Sequence, residues 1–321
     1  LISALATRDA TVQSLFLAAL QAFYNAQATQ AAVLAAREAE TAANESLAAA
    51  QLRHEVGVGT PADCLQAQTA ASQARLNRQR AEGEARNALG SLAAAMGFPA
   101  QTALKLAPLL APLPASLQIA QVQQDIDALI ASALAQRADL QAAEASLRAA
   151  EASIDVVRGQ GRPSLSLSAG PAWQRMSGET ARTDSIGLTL NVPIFSGFDT
   201  TYRVRAAQAQ RDARAAQRDR LRDQVALEVW RAYQNLGVAA QTVTTTQDLL
   251  ASAEQSARVA LGRYKAGVGT VLDLLTAQSA LASARLQGIQ AQLDWHVSRA
   301  TLAQAQGALD YSLLSGAKDR E

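Results

Sequence analysis

The chain has 321 residues, a formal net charge of +1, 49% hydrophobic residues and 4% aromatic residues. The small net charge argues against nucleic acid as a partner, and one cysteine with two histidines excludes an intrachain disulfide and gives no basis for a metal site or a cofactor. Because alanine supplies much of the hydrophobic share, the composition favours long, closely packed helices over one large globular core.

The first segment predicts a helical hairpin. Residues 1–56 contain neither glycine nor proline, so we expect one uninterrupted helix. The glycines that follow predict a reversal through positive φ, and a returning helix is expected over 61–96, closed by Gly97. Asp63 stands three residues after the predicted N-cap and resembles a capping box. The turn consists of Gly57, Val58, Gly59 and Thr60.

The middle of the chain changes character twice. Residues 97–117 hold four prolines and predict an extended connector. An amphipathic helix is expected from about 122 to 158.

Two strands are predicted next. Residues 164–176 and 185–195 alternate polar and apolar side chains around a polar loop over 177–184. Each strand is about as long as the 9–11 residues that a membrane-spanning strand needs. No apolar run reaches the length of a transmembrane helix. A single hairpin would leave unpaired edges in a membrane, so further strands are required.

The last third predicts a second helical hairpin. Residues 201–262 contain no proline and only two glycines, which indicates a very long helix with heptad-like apolar spacing. A returning helix is expected over 271–314, with Asp273 as the capping carboxylate and Gly307 at its end. The turn consists of Gly267, Val268, Gly269 and Thr270.

The two hairpins are copies of one unit. Residues 53–76 align without a gap on residues 263–286, and 13 of the 24 positions are identical. The 210-residue period leaves no counterpart for the β-hairpin, and the chain begins with Leu1, so we expect an N-terminally truncated sequence with a second β-hairpin upstream. Four strands per chain would give 12 in a trimer, enough for an open channel.

These motifs, in this order, resemble the TolC-type outer-membrane efflux protein family. The sequence Arg-Tyr-Lys-Ala-Gly-Val-Gly-Thr-Val-Leu-Asp at 263–273 looks like the family's second periplasmic tip, and Arg-His-Glu-Val-Gly-Val-Gly at 53–59 looks like the first. The Arg-Pro-Ser-Leu at 162–165 and the Val-Pro-Ile-Phe-Ser-Gly at 192–197 are similar to the segments that flank the family's β-hairpin. The resemblance covers essentially the whole chain.

The resemblance implies a fold and a set of partners. It implies a mainly α protein with a coiled-coil helical barrel and a β-hairpin that contributes to a trimeric transmembrane β-barrel. It further implies a homotrimer in outer-membrane lipid that extends into the periplasm of a Gram-negative bacterium. The partners would be a periplasmic adaptor and an inner-membrane pump, for multidrug efflux or type I secretion. No cofactor and no catalysis are implied.

The resemblance also assigns candidate site residues. Both glycine turns, with Thr60 and Thr270, would receive the adaptor. Asp63, Tyr264 and Asp273 would form the gate, with a hydrogen bond between Tyr264 and Asp63. From the residues alone, simple helix capping explains both aspartates equally well, Tyr264 could only pack between hairpins, and His54 could be an exposed tip residue or a pH sensor.

The chain divides into six predicted segments. They are a first helical hairpin (1–97), a connector (98–121), a lead helix (122–161), a β-hairpin (162–196), a second helical hairpin (197–315) and a tail (316–321). The alternative to a duct is a periplasmic coiled-coil scaffold or adaptor without membrane insertion. An enzyme is disfavoured because no nucleophile–base pair, metal cluster or phosphate loop is found.

Overall fold

The computed structural model describes residues 2–106, 125–176 and 179–309, with the side chains of 176 and 179–181 left aside. In this part of the chain the fold is mainly helical with one antiparallel β-hairpin, which confirms the predicted fold class. In chain order the elements are α1 (Ile2–Glu55), α2 (Pro61–Ala95), α3 (Ile126–Gln136), α4 (Ala138–Gln160), β1 (Ser164–Met176), β2 (Glu179–Asn191), α5 (Asp199–Lys265) and α6 (Val271–Ala305).

The chain forms two compact units. One unit comprises residues 1–8 and 138–224, and therefore contains α4, the β-hairpin and the first part of α5. The other comprises residues 9–137 and 225–321, and holds most of α1, α2, α3, the end of α5 and α6. Both helical turns lie in this second unit. The described residues leave out residue 1, 107–121 of the connector, 122–124 of the lead helix, 177–178 of the β-hairpin, 310–315 of the second helical hairpin, and the tail 316–321.

Small side chains make up much of the helical core. Alanine dominates the buried residues, and the heptad positions predicted on α5 are all buried. A hydrophobic cluster joins α5 to α6 around Trp295, and Val225 and Val229 are fully buried. Alanine at the contacts lets helix backbones approach closely, which compensates for the scarcity of aromatic side chains. The buried heptad positions are Val225, Val229, Ala232, Leu236 and Ala239.

The first helical hairpin is braced by ion pairs. Glu82 on α2 accepts from Arg37 on α1 at 3.0 Å and from Arg78 at 2.9 Å, and Arg78 also pairs with Glu40 on α1. Hydrogen bonds from Arg37 and then Arg78 lower the pKa of the Glu82 carboxyl. The matching positions of the second hairpin, 210 residues on, carry no charge. They are Gln247, Leu250, Gly288 and Gln292.

The predicted lead helix is broken at Arg137. This residue adopts ψ 126° and ends α3, so a continuous helix over 122–158 was the wrong prediction. Its guanidinium is almost buried, donates to Glu228 Oε2 at 2.7 Å and donates to the carbonyl of Ala305 at 3.3 Å. These long-range contacts hold the extended backbone, and no glycine or proline marks the break in the sequence.

The β-hairpin separates apolar from polar side chains. Ser164 pairs with Asn191 at one end and Met176 with Glu179 at the other, so each strand has 13 residues. One face carries five large apolar side chains that are 65% to 84% exposed. Alternate positions carry mostly small and hydroxyl side chains. The exposed apolar residues are Leu165, Leu167, Ile186, Leu188 and Leu190.

The strand boundaries differ from the prediction at the hairpin's loop end. Residues 179–184 were expected in a polar loop, but they continue β2 and pair with 171–176, while β2 ends at Asn191 and not at 195. Polar side chains are compatible with a strand here because both faces of the sheet are exposed. Trp173 is 68% exposed and lies opposite Arg182, whose guanidinium is 5.5 Å from the indole ring centroid.

No helix within the described residues is both long enough and apolar enough to cross a membrane.

The two returning helices end on matching glycines. Gly97 and Gly307 adopt φ values of +78° and +74°, as predicted, and the residue after each donates back to the preceding turn at 2.9 Å. The second helix ends at Ala305, earlier than the predicted 314. A Cβ on Gly97 would meet nothing within 4 Å, whereas a Cβ on Gly307 would lie 3.2 Å from Cγ of Arg137.

We expect the two glycines to respond differently to alanine. Gly97→Ala bears only the left-handed backbone penalty, about 1–2 kcal/mol. Gly307→Ala adds crowding against Arg137 and loses more free energy of unfolding. Chemical denaturation of both variants measures the difference. Equal losses would show that the contact with Arg137 does not constrain Gly307.

Candidate functional site at the two helical turns

The two turns share one backbone conformation. Gly57 and Gly267 adopt φ values of +79° and +78°, which confirms the predicted reversal at the first glycine of each turn. Val58 N donates to Arg53 O at 2.9 Å, and Val268 N donates to Arg263 O at 3.0 Å. These bonds satisfy carbonyls that the helix ends leave unpaired.

The second glycine of each turn serves another purpose. Gly59 and Gly269 do not adopt positive φ, contrary to the expectation that both glycines reverse the chain. A Cβ on Gly59 would lie 3.0 Å from His54 N, and one on Gly269 would lie 3.0 Å from Cβ of Arg263. These positions therefore need glycine because the chain packs directly on the helix that it has just left.

Each returning helix begins with a complete capping box. Thr60 Oγ1 accepts from Asp63 N at 3.2 Å, and Asp63 Oδ2 accepts from Thr60 N at 3.1 Å. In the second turn the corresponding distances for Thr270 and Asp273 are 3.1 Å and 3.3 Å. The predicted capping role of both aspartates is confirmed. Each turn sequence therefore specifies the end of one helix, the close packing of the chain on that helix, and the start of the next helix.

The cap changes the acidity of Asp273. Hydrogen bonds from the Thr270 side chain and then its backbone lower the pKa of the Asp273 carboxyl, and the charge of Arg263 acts in the same direction. Asp273 is exposed, so water reaches the carboxylate in this conformation. Its negative charge also interacts favourably with the N-terminus of α6.

The tips of the turns are apolar and exposed. Val58 is 65% exposed and Val268 is 69% exposed, and each is the outermost residue between its two glycines. Val56 and Leu272 beside them are also exposed. The turns therefore present two equivalent apolar surfaces that the described residues do not cover.

A small core joins the two hairpins behind the turns. Tyr264 is 5% exposed and packs with Ala50, Ala67, Val271 and Leu274, so all four helices contribute. The predicted packing role of Tyr264 agrees with this position. Burial raises the pKa of the Tyr264 hydroxyl, and the charge of Arg53 partly offsets that shift.

Arg53 connects the two copies and was not among the predicted site residues. It lies in the last turn of α1, and its NH1 donates to the carbonyl of Tyr264 at 2.9 Å. Its guanidinium carbon is 5.0 Å from the centroid of the Tyr264 ring, which is cation–π geometry. No sequence signal distinguishes Arg53 from Arg263, since arginine occupies this position in both copies.

The remaining predicted residues lie nearby. Among the described residues, no hydrogen bond joins Tyr264 to Asp63, whose carboxylate is engaged in its own cap. His54 is exposed, with Nδ1 3.2 Å from the carbonyl of Gly59. Cys64 is partly buried and packs against the core, with Sγ 3.4 Å from the carbonyl of Ala50. No group of three or more potential metal ligands occurs in the part of the chain that the structure describes.

Known proteins share this combination of turns, long helices and β-hairpin. A profile of the family described as outer membrane efflux protein matches residues 2–98 and 129–308. The chain belongs to this family. Members are outer membrane channel proteins, which confirms the resemblance noted in the sequence and places the protein in the outer membrane.

Individual members of the outer membrane efflux protein family align along nearly the whole chain. Protein CyaE of Bordetella pertussis is 31% identical over 308 residues, covering 94% of this chain and 63% of CyaE. Alkaline protease secretion protein AprF of Pseudomonas aeruginosa is 28% identical over 309 residues, covering 93% of this chain and 62% of AprF. The chain therefore spans less than two thirds of the length of these relatives.

Solved structures of the same class share the fold. The outer-membrane channel OprN superimposes with a TM-score of 0.82 at 22% identity, covering 96% of this chain and 69% of OprN. The outer membrane protein VceC of Vibrio cholerae gives a TM-score of 0.78 at 20% identity, covering 95% of this chain and 72% of VceC. At these identities the comparison establishes the fold alone.

We expect the second turn to loosen in acid through Asp273. Its folded-state pKa lies below its unfolded value, so its stabilising contribution is present above the unfolded pKa and is lost as pH falls through the folded pKa. Hydrogen exchange at the amides of residues 270–273, followed from pH 6 towards pH 3, should show falling protection. Asp273→Asn should remove this pH dependence. An unchanged acid response in the variant would assign the loosening to another group.

Proposed function

We propose that this protein is a passive outer-membrane duct that works as a homotrimer with a periplasmic adaptor and an inner-membrane pump. The observation that carries the proposal is the exposed apolar face of the β-hairpin, combined with two helical hairpins that end in one unit. Substrates pass through the duct, and no bond is made or broken. Membership of a channel family supports transport over catalysis.

The hairpin has the dimensions and polarity of a membrane-spanning element. Thirteen residues at about 3.3 Å each give a strand of about 43 Å, and a tilt of 45° reduces its rise to about 30 Å, the thickness of the hydrocarbon layer. The leucines and the isoleucine of the apolar face suit lipid, and the face with serine, threonine and glycine suits a water-filled interior. Towards the loop end the apolar face carries Arg175, Arg182 and Asp184, so the lipid-facing part ends before the strands do. In water the apolar face would be an aggregation liability.

Unpaired edges favour an oligomer. Two strands leave two edges whose backbone groups need partners in lipid, and only closure into a barrel satisfies all of them. A barrel wide enough for a channel needs more strands than eight. A symmetric trimer that contributes several strands per copy meets this requirement.

The exposed turns fit an adaptor. Two equivalent apolar tips on one unit provide two similar docking points, and we propose that the adaptor binds at Val58 and Val268 with the glycines and threonines around them. Tyr264, Asp63 and Asp273 lie within five residues of these valines in the sequence, and we propose that they form a gate that docking changes. The relatives' names point to two classes of cargo: secreted proteins, as for AprF, and small toxic compounds, as for the toluene efflux protein TtgC of Pseudomonas putida.

Substitutions on the two faces of the β-hairpin test whether it inserts into a membrane. Leu167→Arg places a charge on the apolar face, and a cost of about 2–4 kcal/mol is expected near the bilayer centre. Ser166→Arg, the adjacent residue on the opposite face, should insert normally. Protection from protease in reconstituted vesicles and channel conductance measure both variants. A soluble protein with neither trimer nor conductance, unaffected by either substitution, would favour the periplasmic scaffold or adaptor instead.

The tips test adaptor docking. Val58→Asp and Val268→Asp together should abolish export while the trimer still assembles, because a charge replaces an apolar contact that only the complex buries. The isosteric pair Val58→Thr and Val268→Thr should retain most export. Export assays with the cognate pump and native gel analysis give the two readouts. Full export by the aspartate pair would remove the valines from the docking surface.

A further inference from the structure

Arg53 contacts Tyr264, but the matching pair of residues in the other copy of the turn makes no such contact within the described residues. Within the chain, Arg53 of the first hairpin reaches the end of α5, where it donates to the carbonyl of Tyr264 and covers its ring. The position 210 residues after Arg53 is Arg263, and the position 210 residues before Tyr264 is His54. The second pair should therefore be able to make the same contact.

The donor and the acceptor of this second pair both remain available. Arg263 is exposed, and its guanidinium makes no hydrogen bond or ion pair within the described residues, although its charge acts on Asp273. The carbonyl of His54 accepts from Gly57 N at 3.0 Å, as that of Tyr264 does from Gly267 N at 3.1 Å. Only the Tyr264 carbonyl receives an arginine as well.

We propose that Arg263 binds the His54 turn of a second copy of this chain, and thereby repeats between copies the contact that Arg53 makes within one copy. Because the donor lies on the second hairpin and the acceptor on the first, the contact is head-to-tail, and three such contacts complete a ring in the proposed symmetric trimer. In a trimer, six arginine contacts would alternate around the tips, three within chains and three between them. The inference rests on the proposed trimeric duct and identifies what joins its copies at the tip.

Charge favours the contact between copies. The residue after Tyr264 is Lys265, so a like charge follows the acceptor of Arg53 in the sequence. The residue after His54 is Glu55, so Arg263 approaches an opposite charge. Both Glu55 and Lys265 are exposed, and their charges should therefore influence assembly more than final stability.

The proposed contact between copies should be weaker than the contact within one copy, because less apolar surface packs behind it. Behind the contact within the chain lie Tyr264, Val271 and Leu274, all at most 5% exposed. The equivalent positions of the first hairpin carry smaller or more polar side chains, so less apolar surface is buried. The boundary between copies should therefore open before the boundary within each copy. The equivalent residues are His54, Pro61 and Cys64.

Matched cross-linking tests the connectivity. In a Cys64→Ser form of the protein expressed from its native gene, Arg263→Cys with Glu55→Cys should give covalent dimers and trimers with a short bis-maleimide. The repeat-matched pair Arg53→Cys with Lys265→Cys should give only cross-linked monomers. All four positions lie outside the buried core, so the variants should fold. Only intramolecular product from the first pair, in a protein shown to be trimeric, would overturn the inference.

A substitution that should strengthen the proposed contact of Arg263 tests whether that contact is a cation–π interaction. His54→Tyr gives the first turn the residue of the second, and should lengthen the lifetime of the heated trimer by about threefold through a better cation–π partner. The same substitution in an Arg263→Gln background should have no effect. An equal gain in both backgrounds would show that His54 acts without Arg263.

Failure of the inference can be distinguished from failure of the proposed function. If the wild-type protein is monomeric in mild detergent and gives no conductance, the duct itself is wrong. If the wild-type protein is a conducting trimer but Arg263→Gln leaves trimer lifetime and conductance unchanged, only the contact at His54 is wrong.

Discussion

The structure depends on reversing two very long helices within five residues each. A glycine in the left-handed region ends each helix, and a second glycine lets the chain lie against the turn that it has just completed. A threonine with an aspartate three residues later then starts the return. Without this arrangement neither hairpin would form, and the apolar tips, the buried tyrosine and the arginine contacts would not be brought together.

The two copies of this unit share their backbone conformation but differ in several side chains. The backbone of the two turns is nearly identical, since the same residues fix the helix end and the helix start. The side chains at three matching positions beside the turns have diverged, with tyrosine, valine and leucine in the second copy and histidine, proline and cysteine in the first. In the ring that we propose, strong boundaries within chains would alternate with weaker boundaries between chains.

Local chemistry explains which features the sequence could predict. The reversals, the capping boxes and the closing glycines follow from residues that act on their own backbone, so the pattern alone was sufficient. The break at Arg137 depends on Glu228 and on the end of α6, both far away in sequence, and no local signal marks it. The extended β2 was missed because its polar residues are typical of loops, and the role of Arg53 was missed because both copies carry arginine there.

The ion pairs on the first helical hairpin imply an uneven stiffness. Arg37 and Arg78 tie α1 to α2 through Glu82 and Glu40, whereas the second hairpin has glycine, leucine and glutamine at the matching positions. No ion pair joins α5 to α6 at this level within the described residues, so we expect the first hairpin to resist bending more than the second. In the proposed trimer, hairpins with these ion pairs would alternate with hairpins that lack them. A movement of the tips in that assembly would be expected to bend the second hairpin more than the first.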